Sequence, residues 1–220
     1  MTTASHFPLK PLLALTVATA MLNNCAWAAS SQTAAEQPSE SHVAAARTES
    51  YNHRDLIVYV PSSLPARGTR ALVVVLHGGL GNASRIERGA SESGLNMNDV
   101  AEKDGFIVAY LNGTSVTRMY RANMLGWNAG GGCCGVPAET NVDDVAYITG
   151  AVHHLEDEYG VDPRRVYGIG HSNGGMMTMR LVCETHLYVA AISISGPLNL
   201  DVRSCPTARG TRVLAIHGAD

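Results

Sequence analysis

Val166-Tyr167-Gly168-Ile169-Gly170-His171-Ser172-Asn173-Gly174-Gly175-Met176-Met177 is the stretch whose reading decides the fold. An apolar run of strand character meets an abrupt turn at Ser172, and a helical pattern follows. The turn spells G-x-S-x-G from Gly170 to Gly174. A serine at such a strand-to-helix turn is held in a strained backbone conformation, with its hydroxyl lifted above the sheet edge. The residues two before and two after it come so close that only glycine fits. The first turn of the helix then aims free N–H groups at whatever bonds to the serine. Alone, the pattern suits a glycine-rich turn as well as a nucleophile, so the flanking chain has to decide.

Outward from this stretch, strand and helix patterns alternate. Leu56–Val60 reads as a strand stopped by Pro61. Ala71–Leu76 is continuously apolar, as a parallel strand buried on both faces should be. It runs into His77-Gly78-Gly79-Leu80-Gly81. Asn96–Lys103 reads as a helix and Phe106–Tyr110 as a strand. A long loop follows, with Trp127 and a glycine cluster around Cys133-Cys134. Val142, Val145, Ile148, Val152, Leu155 and Tyr159 keep one apolar face at helical spacing. Asn141 is the expected N-cap of that helix, Asp143 and Asp144 suit its positive end, and Gly160 closes it. Beyond Ser172 the helix runs to about Thr185, with Met176, Met177 and Met179 read as helix core. Strands at Val189–Ile194 and Val213–Ile216 complete the series. The alternation predicts an α/β fold with a mostly parallel sheet and helices on both faces. Ligands of such sheets lie beyond the carboxyl ends of the strands. Three loops meet that condition: His77–Gly81, the Ser172 turn and His217–Asp220.

The 220 residues carry 16 basic and 19 acidic side chains, a net charge of -3, which gives no footprint for nucleic acid or an anionic membrane. Leu12–Leu22 is apolar but short for a bilayer, and Ala26-Trp27-Ala28 supplies a small-residue cleavage signal. Residues 1–28 therefore read as a secretory signal peptide rather than a membrane anchor. Leu22-Asn23-Asn24-Cys25 lacks the small residues of a lipid-attachment site. Residues 29–50 read as a flexible linker, and 51–220 as the folded domain. Asp143 and Asp144 have no further ligand at metal spacing, so neither a metal nor a cofactor is expected.

A serine hydroxyl becomes a nucleophile when a base takes its proton and a carboxylate orients that base. The developing oxyanion needs backbone donors. One is the N–H of Asn173, the residue after Ser172; the second comes from the Gly78-Gly79-Leu80 stretch, with Gly79 and Leu80 both open as the donor. Trp127 either stacks on substrate or packs its loop onto the domain. His77 flanks the same region and is a candidate substrate contact, but His77 and His217 both sit at strand ends before glycines, where bracing a loop is the favoured reading.

Six motifs occur in order: Leu76-His77-Gly78-Gly79, Gly126-Trp127-Asn128, Cys133-Cys134-Gly135, Asn141-Val142-Asp143-Asp144-Val145, Gly170-His171-Ser172-Asn173-Gly174-Gly175-Met176, and Ile216-His217-Gly218-Ala219-Asp220. The set resembles the polyhydroxybutyrate-depolymerase-like and feruloyl-esterase-like family of secreted α/β-hydrolases, over residues 51 to 220. The resemblance implies a Ser-Asp-His triad and hydrolysis of small or polymeric esters, with Ser172 as nucleophile and Asp220 as the acid. In that chain order the histidine follows the acid, and none of the nine histidines of the sequence is a convincing substitute. The expectation is a hydrolase domain short of its last strand and helix, and nearly inactive by itself. A prolyl-oligopeptidase-like serine peptidase and a non-catalytic binding protein are the alternatives.

Five cysteines are present; without Cys25, the four at Cys133, Cys134, Cys183 and Cys205 suit two disulfides in an oxidising compartment. A bridge between neighbours is strained. The expectation is therefore two long-range bridges, one tying the Trp127 loop to the helix after Ser172.

Overall fold

The computed structural model describes residues 40–41, 43–89, 95–121, 123–207 and 209–219. Its strands and helices follow in chain order: β1 Glu40–Ser41, β2 Ala45–Tyr51, β3 Arg54–Val60, β4 Ser63–Leu64, β5 Arg70–Leu76, α1 Ala83–Glu87, α2 Asn98–Asp104, β6 Ile107–Leu111, β7 Thr114–Ser115, β8 Leu125–Gly126, α3 Val136–Glu139, α4 Asp144–Tyr159, β9 Val161–His171, α5 Asn173–Glu184, β10 Ala190–Ile194 and β11 Arg212–Ile216. Seven strands form one sheet in the order β11-β10-β9-β5-β6-β3-β2. The five from β11 to β6 are parallel, while β3 and β2 run antiparallel to their neighbours. This is the mostly parallel α/β sheet that the alternating patterns predict.

The apolar runs are buried on alternate faces, as the two-residue period of a strand requires. Leu72, Val74 and Leu76 of β5 and Ile107, Ala109 and Leu111 of β6 join α4 and α5 in one core. Val75, Val108, Tyr110 and Ile169 pack on the other face with Ile86 of α1 and Ala101 of α2. Helices α1 and α2 contact β3 and β6 on that face. The outermost strand β11 is bare: Val213, Leu214 and Ile216 are exposed by 42%, 54% and 45%.

Three local readings need adjustment. The sheet begins at Ala45, inside the stretch read as linker, because Ala45–Tyr51 pairs along its whole length with β3. The N-cap of α4 is Asp143, whose side chain accepts from the N–H of Ala146, and not Asn141, which has a positive φ of 50°. Asp144 is more than an acid at the helix start: it is fully buried. The leader, Cys25 and most of the linker lie outside the described residues. No helix among the described residues is long and apolar enough to cross a membrane.

Candidate active site

Parallel strands β9 and β5 end side by side, with Leu76 level with Gly170. Two residues later the chain turns at Ser172, with φ 52° and ψ −120°. Ordinary L-residues avoid such values, and they persist only where surrounding contacts enforce them. Here the Ser172 N–H donates to the carbonyl of Ile194 at 2.8 Å, and its own carbonyl accepts from Met176 at 2.9 Å, opening α5. The two motif glycines are required by contact. A Cβ on Gly170 would run into the Gly174 backbone, and one on Gly174 into the carbonyls of Leu76 and His77.

The second loop folds as a tight turn against this elbow. The N–H of Gly81 donates to the carbonyl of Gly78 at 3.1 Å, and Leu80 takes the left-handed conformation at φ 65°. That is the third turn position, where glycine is usual. The turn lies directly on the serine: a Cβ on Gly78 would sit 3.2 Å from Nδ1 of His171 and 3.6 Å from Cβ of Ser172, and one on Gly79 3.7 Å from Cβ of Asn173. The N–H groups of Gly79 and Leu80 are thus carried beside Ser172, together with the N–H of Asn173 at the start of α5.

His77 holds this turn from beneath. It is buried, and both ring nitrogens are engaged: Nδ1–H donates to the carbonyl of Gly78 at 2.7 Å, and Nε2 accepts from the N–H of Gly113 at 3.1 Å. Burial lowers its pKa from 6.5 to about 4, against a smaller opposing effect of the Gly78 carbonyl, so the ring is neutral. Trp127 is likewise fully buried. Its Nε1–H donates to the carbonyl of His77 at 2.9 Å, and its ring lies 5.1 Å from the imidazole. The expectation that His77 and Trp127 meet substrate is therefore corrected. Both lie inside and brace the turn.

Asn173 contributes more than its N–H. Its side chain accepts from the Trp127 N–H at 2.7 Å and donates to the Trp127 carbonyl at 3.0 Å. One residue on, Asn128 is anchored at the foot of α4, its N–H donating to Oδ2 of Asp144 at 2.7 Å. The other oxygen of Asp144 pairs with Arg54 at 2.6 Å, and Arg54 lies 4.0 Å over the Tyr147 ring. Burial pushes the Asp144 carboxyl above its ordinary range, and Arg54 opposes that shift. No spacing rule in the sequence pointed to these two anchors, because each joins residues far apart in the chain.

The disulfides also differ from expectation. Cys133 bonds its neighbour Cys134 across a cis peptide that brings their Cα atoms to 2.9 Å, and Cys183 bonds Cys205. With Cys133 and Cys134 closed on each other, no bridge ties the Trp127 loop to α5. The contact there is noncovalent: Nδ2 of Asn173 lies 3.4 Å from Sγ of Cys134, and Sγ of Cys133 3.6 Å from Sδ of Met176. Asp220 lies outside the described residues. His217 follows β11 and is exposed. Among the described residues, no group of three or more His, Cys, Asp or Glu side chains is placed to hold a metal.

Residues 100–207 match the prolyl oligopeptidase family. A putative esterase, NocK, from Nocardia uniformis subsp. tsuyamanensis is 34% identical over 153 residues, covering 68% of this chain and 39% of its own. Feruloyl esterase B of Piromyces equi is 30% identical, over 75% of this chain and 28% of the relative. Poly(3-hydroxybutyrate) depolymerase of Ralstonia pickettii is 33% identical, over 63% and 28%. The chain thus spans well under half the length of these relatives. Among solved structures, the feruloyl esterase module from Clostridium thermocellum complexed with sinapinate superposes with a TM-score of 0.57 at 14% identity, over 82% of this chain and 70% of that one. S-formylglutathione hydrolase from Staphylococcus aureus gives 0.55 at 13%, over 82% and 79%. The chain has the α/β-hydrolase fold and is similar in sequence to esterases of that fold.

Proposed function

We propose that this chain carries the nucleophile and oxyanion donors of a serine esterase that works through an acyl-enzyme. The observation that carries the reading is the strained backbone of Ser172, with the Gly78–Gly81 turn packed against it. Oγ of Ser172 attacks the ester carbonyl carbon, and its proton passes to an imidazole base. The carbonyl oxygen, now negative, accepts from the N–H of Asn173 and from that of Gly79 or Leu80. The C–O bond to the alcohol breaks, and the alcohol leaves with the proton. Water then takes the place of the alcohol and releases the acid. Among the described residues no histidine is hydrogen-bonded to Ser172, and His77 is committed elsewhere. An imidazole base oriented by Asp220 completes the reading. The names of the relatives support feruloyl or acetyl esters of plant polysaccharide, or hydroxyalkanoate oligomers, as substrates.

The two disulfides suit an oxidising compartment. With the leader at 1–28 they support a secreted enzyme. A peptidase reading is favoured only by the prolyl oligopeptidase match, and cleavage of peptide anilides would reveal it.

Ser172→Ala should abolish all hydrolysis of p-nitrophenyl acetate above background, and diisopropyl fluorophosphate should modify Ser172. Hydrolysis that survives Ser172→Ala overturns the proposal. Ligand binding with no hydrolysis even where the imidazole base is supplied would favour the non-catalytic alternative.

A further inference from the structure

A second strained serine lies at the same edge of the sheet. Ser195, just past β10, takes the left-handed region at φ 53°, beside 52° for Ser172. Ile194 is level with His171 of β9 on one side and with Ile216 of β11 on the other. The ladder then runs one step further. The Ser172 N–H donates to the carbonyl of Ile194 at 2.8 Å, and the Ser195 N–H to that of Ile216 at 2.8 Å. Ser172, Ser195 and His217 therefore follow the ends of three adjacent parallel strands, in one row across the sheet. At ~4.8 Å per strand, Ser195 stands roughly 5 Å from Ser172, backbone to backbone.

The turn that carries Ser195 is pinned to the elbow. A Cβ on Gly196 would sit 2.6 Å from the Ser172 carbonyl oxygen and 2.5 Å from the Met176 nitrogen, so contact demands glycine there. Oγ of the buried Ser193 donates to the Gly196 carbonyl at 2.5 Å. Glycine would relieve position 195 too, yet that position carries serine. Ser195 is exposed, and its hydroxyl makes no hydrogen bond among the described residues. Strain that the surroundings enforce is a mark of working sites.

The two flanks of Ser172 differ in what they bring. β5 lies on one side of β9 and β10 on the other. The Gly78–Gly81 turn follows β5, so the second oxyanion donor approaches from that flank. Ser195 approaches from the opposite flank. The segment that leads from β11 to Asp220 begins on that flank as well. A carbonyl oxygen drawn to the β5 side leaves the β10 side to the departing alcohol, and then to the water that takes its place.

We propose that Ser195 is a catalytic residue of the second half-reaction: its hydroxyl holds the water that releases the acid from Ser172. In that step the water oxygen bonds to the acyl carbon. One of its protons passes to the imidazole base and on to Oγ of Ser172 as the bond from carbon to Oγ breaks. Its other O–H donates to Oγ of Ser195 throughout. Ser195 is neither acylated nor deprotonated. The inference rests on the esterase reading and adds a residue to it.

The experiment follows the acetyl adduct by intact mass after brief exposure to p-nitrophenyl acetate, with 2-methylimidazole supplied as the base. Ser195→Ala keeps the backbone strain and Ser195→Gly relieves it, while both remove the hydroxyl. In both variants the adduct should form at the wild-type rate and decay about ten-fold more slowly, the weight of one hydrogen bond. Ser195→Gly should melt no lower than the wild type. Decay at the wild-type rate in both variants overturns the inference. So does an equal slowing of formation and decay, which marks a purely structural role, and so does an adduct that peptide mapping places on Ser195. No adduct in the wild type, or one that forms undiminished in Ser172→Ala, refutes the esterase reading and the inference with it.

Discussion

Lowering the pH should loosen the fold through His77. Its ring is neutral and buried, with pKa lowered from 6.5 to about 4 chiefly by desolvation. Above pH 6.5 the imidazole is neutral in both folded and unfolded chains and adds no pH dependence. As the pH falls from 6.5 toward 4, the unfolded chain takes up a proton that the folded one refuses. Stability is therefore lost across that window. The interval of 6.5 − 4 = 2.5 units, at ~1.36 kcal/mol per unit, sets an upper magnitude of about 3 kcal/mol. Protonation also turns Nε2 from an acceptor into a donor facing the N–H of Gly113. The Gly78–Gly81 turn should then loosen before the whole chain unfolds.

The assay is urea unfolding at pH 7.0, 5.5 and 4.5 for the wild type and for His77→Gln. Glutamine offers an acceptor toward Gly113 and does not titrate. At pH 7.0 the variant should be less stable by about 1–3 kcal/mol, since the carbonyl of Gly78 loses its donor. The wild type should then lose stability more steeply on acidification, and the two should converge. Asp144 and the surface carboxylates titrate in both proteins, so they cancel in the difference. Parallel pH slopes in wild type and variant would refute the account of His77.

Two further outcomes follow from the site and its frame. Cys183→Ser opens a loop with a sequence separation of 22, which loop-closure entropy converts to about 3 kcal/mol and a melting point lower by roughly 6–12 °C; calorimetry without reductant would detect it, and an unchanged melt would deny the bridge a stabilising role. Gly79→Pro removes one N–H at a turn position that tolerates proline. If Gly79 is the second oxyanion donor, kcat on p-nitrophenyl acetate should fall about 100-fold or more with an unchanged melt, whereas retained activity assigns the donor to Leu80.

The sheet was legible because its signals are local. Ala71–Leu76 and Val166–Gly170 are apolar runs that end in glycine turns, and such runs bury on both faces whatever the rest of the chain does. The elbow was legible for the same reason: the glycines at 170 and 174 mark a contact between residues four apart. What escaped were distant contacts. Asp144 reads from sequence as an acid at a helix start, and only the fold brings Arg54 to it from ninety residues away. Trp127 had two equal readings because a large aromatic beside glycines suits a substrate wall and a buried brace alike. The cysteine pairing was misread for a different reason: avoidance of a neighbour bridge is a tendency, and spacing alone does not decide among the pairings of four cysteines.

These distant contacts also explain why the elbow and its turn hold a common geometry. Asn173, next to Ser172, grips the backbone of Trp127 on both sides. Trp127 reaches with its indole N–H to the carbonyl of His77, and His77 reaches with Nδ1 to the carbonyl of Gly78. Gly78 packs back on His171 and Ser172. The path is a closed ring that starts and ends at the Ser172 turn. Each member is buried or half-buried, so a broken link leaves an unsatisfied group and cannot be replaced cheaply by water. Donors held in this way need no reorganisation when charge develops on a substrate oxygen, which is where oxyanion stabilisation gains its strength. It follows that Trp127, although out of reach of substrate, should affect turnover more than the exposed Leu80 side chain. On the esterase reading, its work is to fix the distance between Ser172 and the N–H groups of Asn173, Gly79 and Leu80.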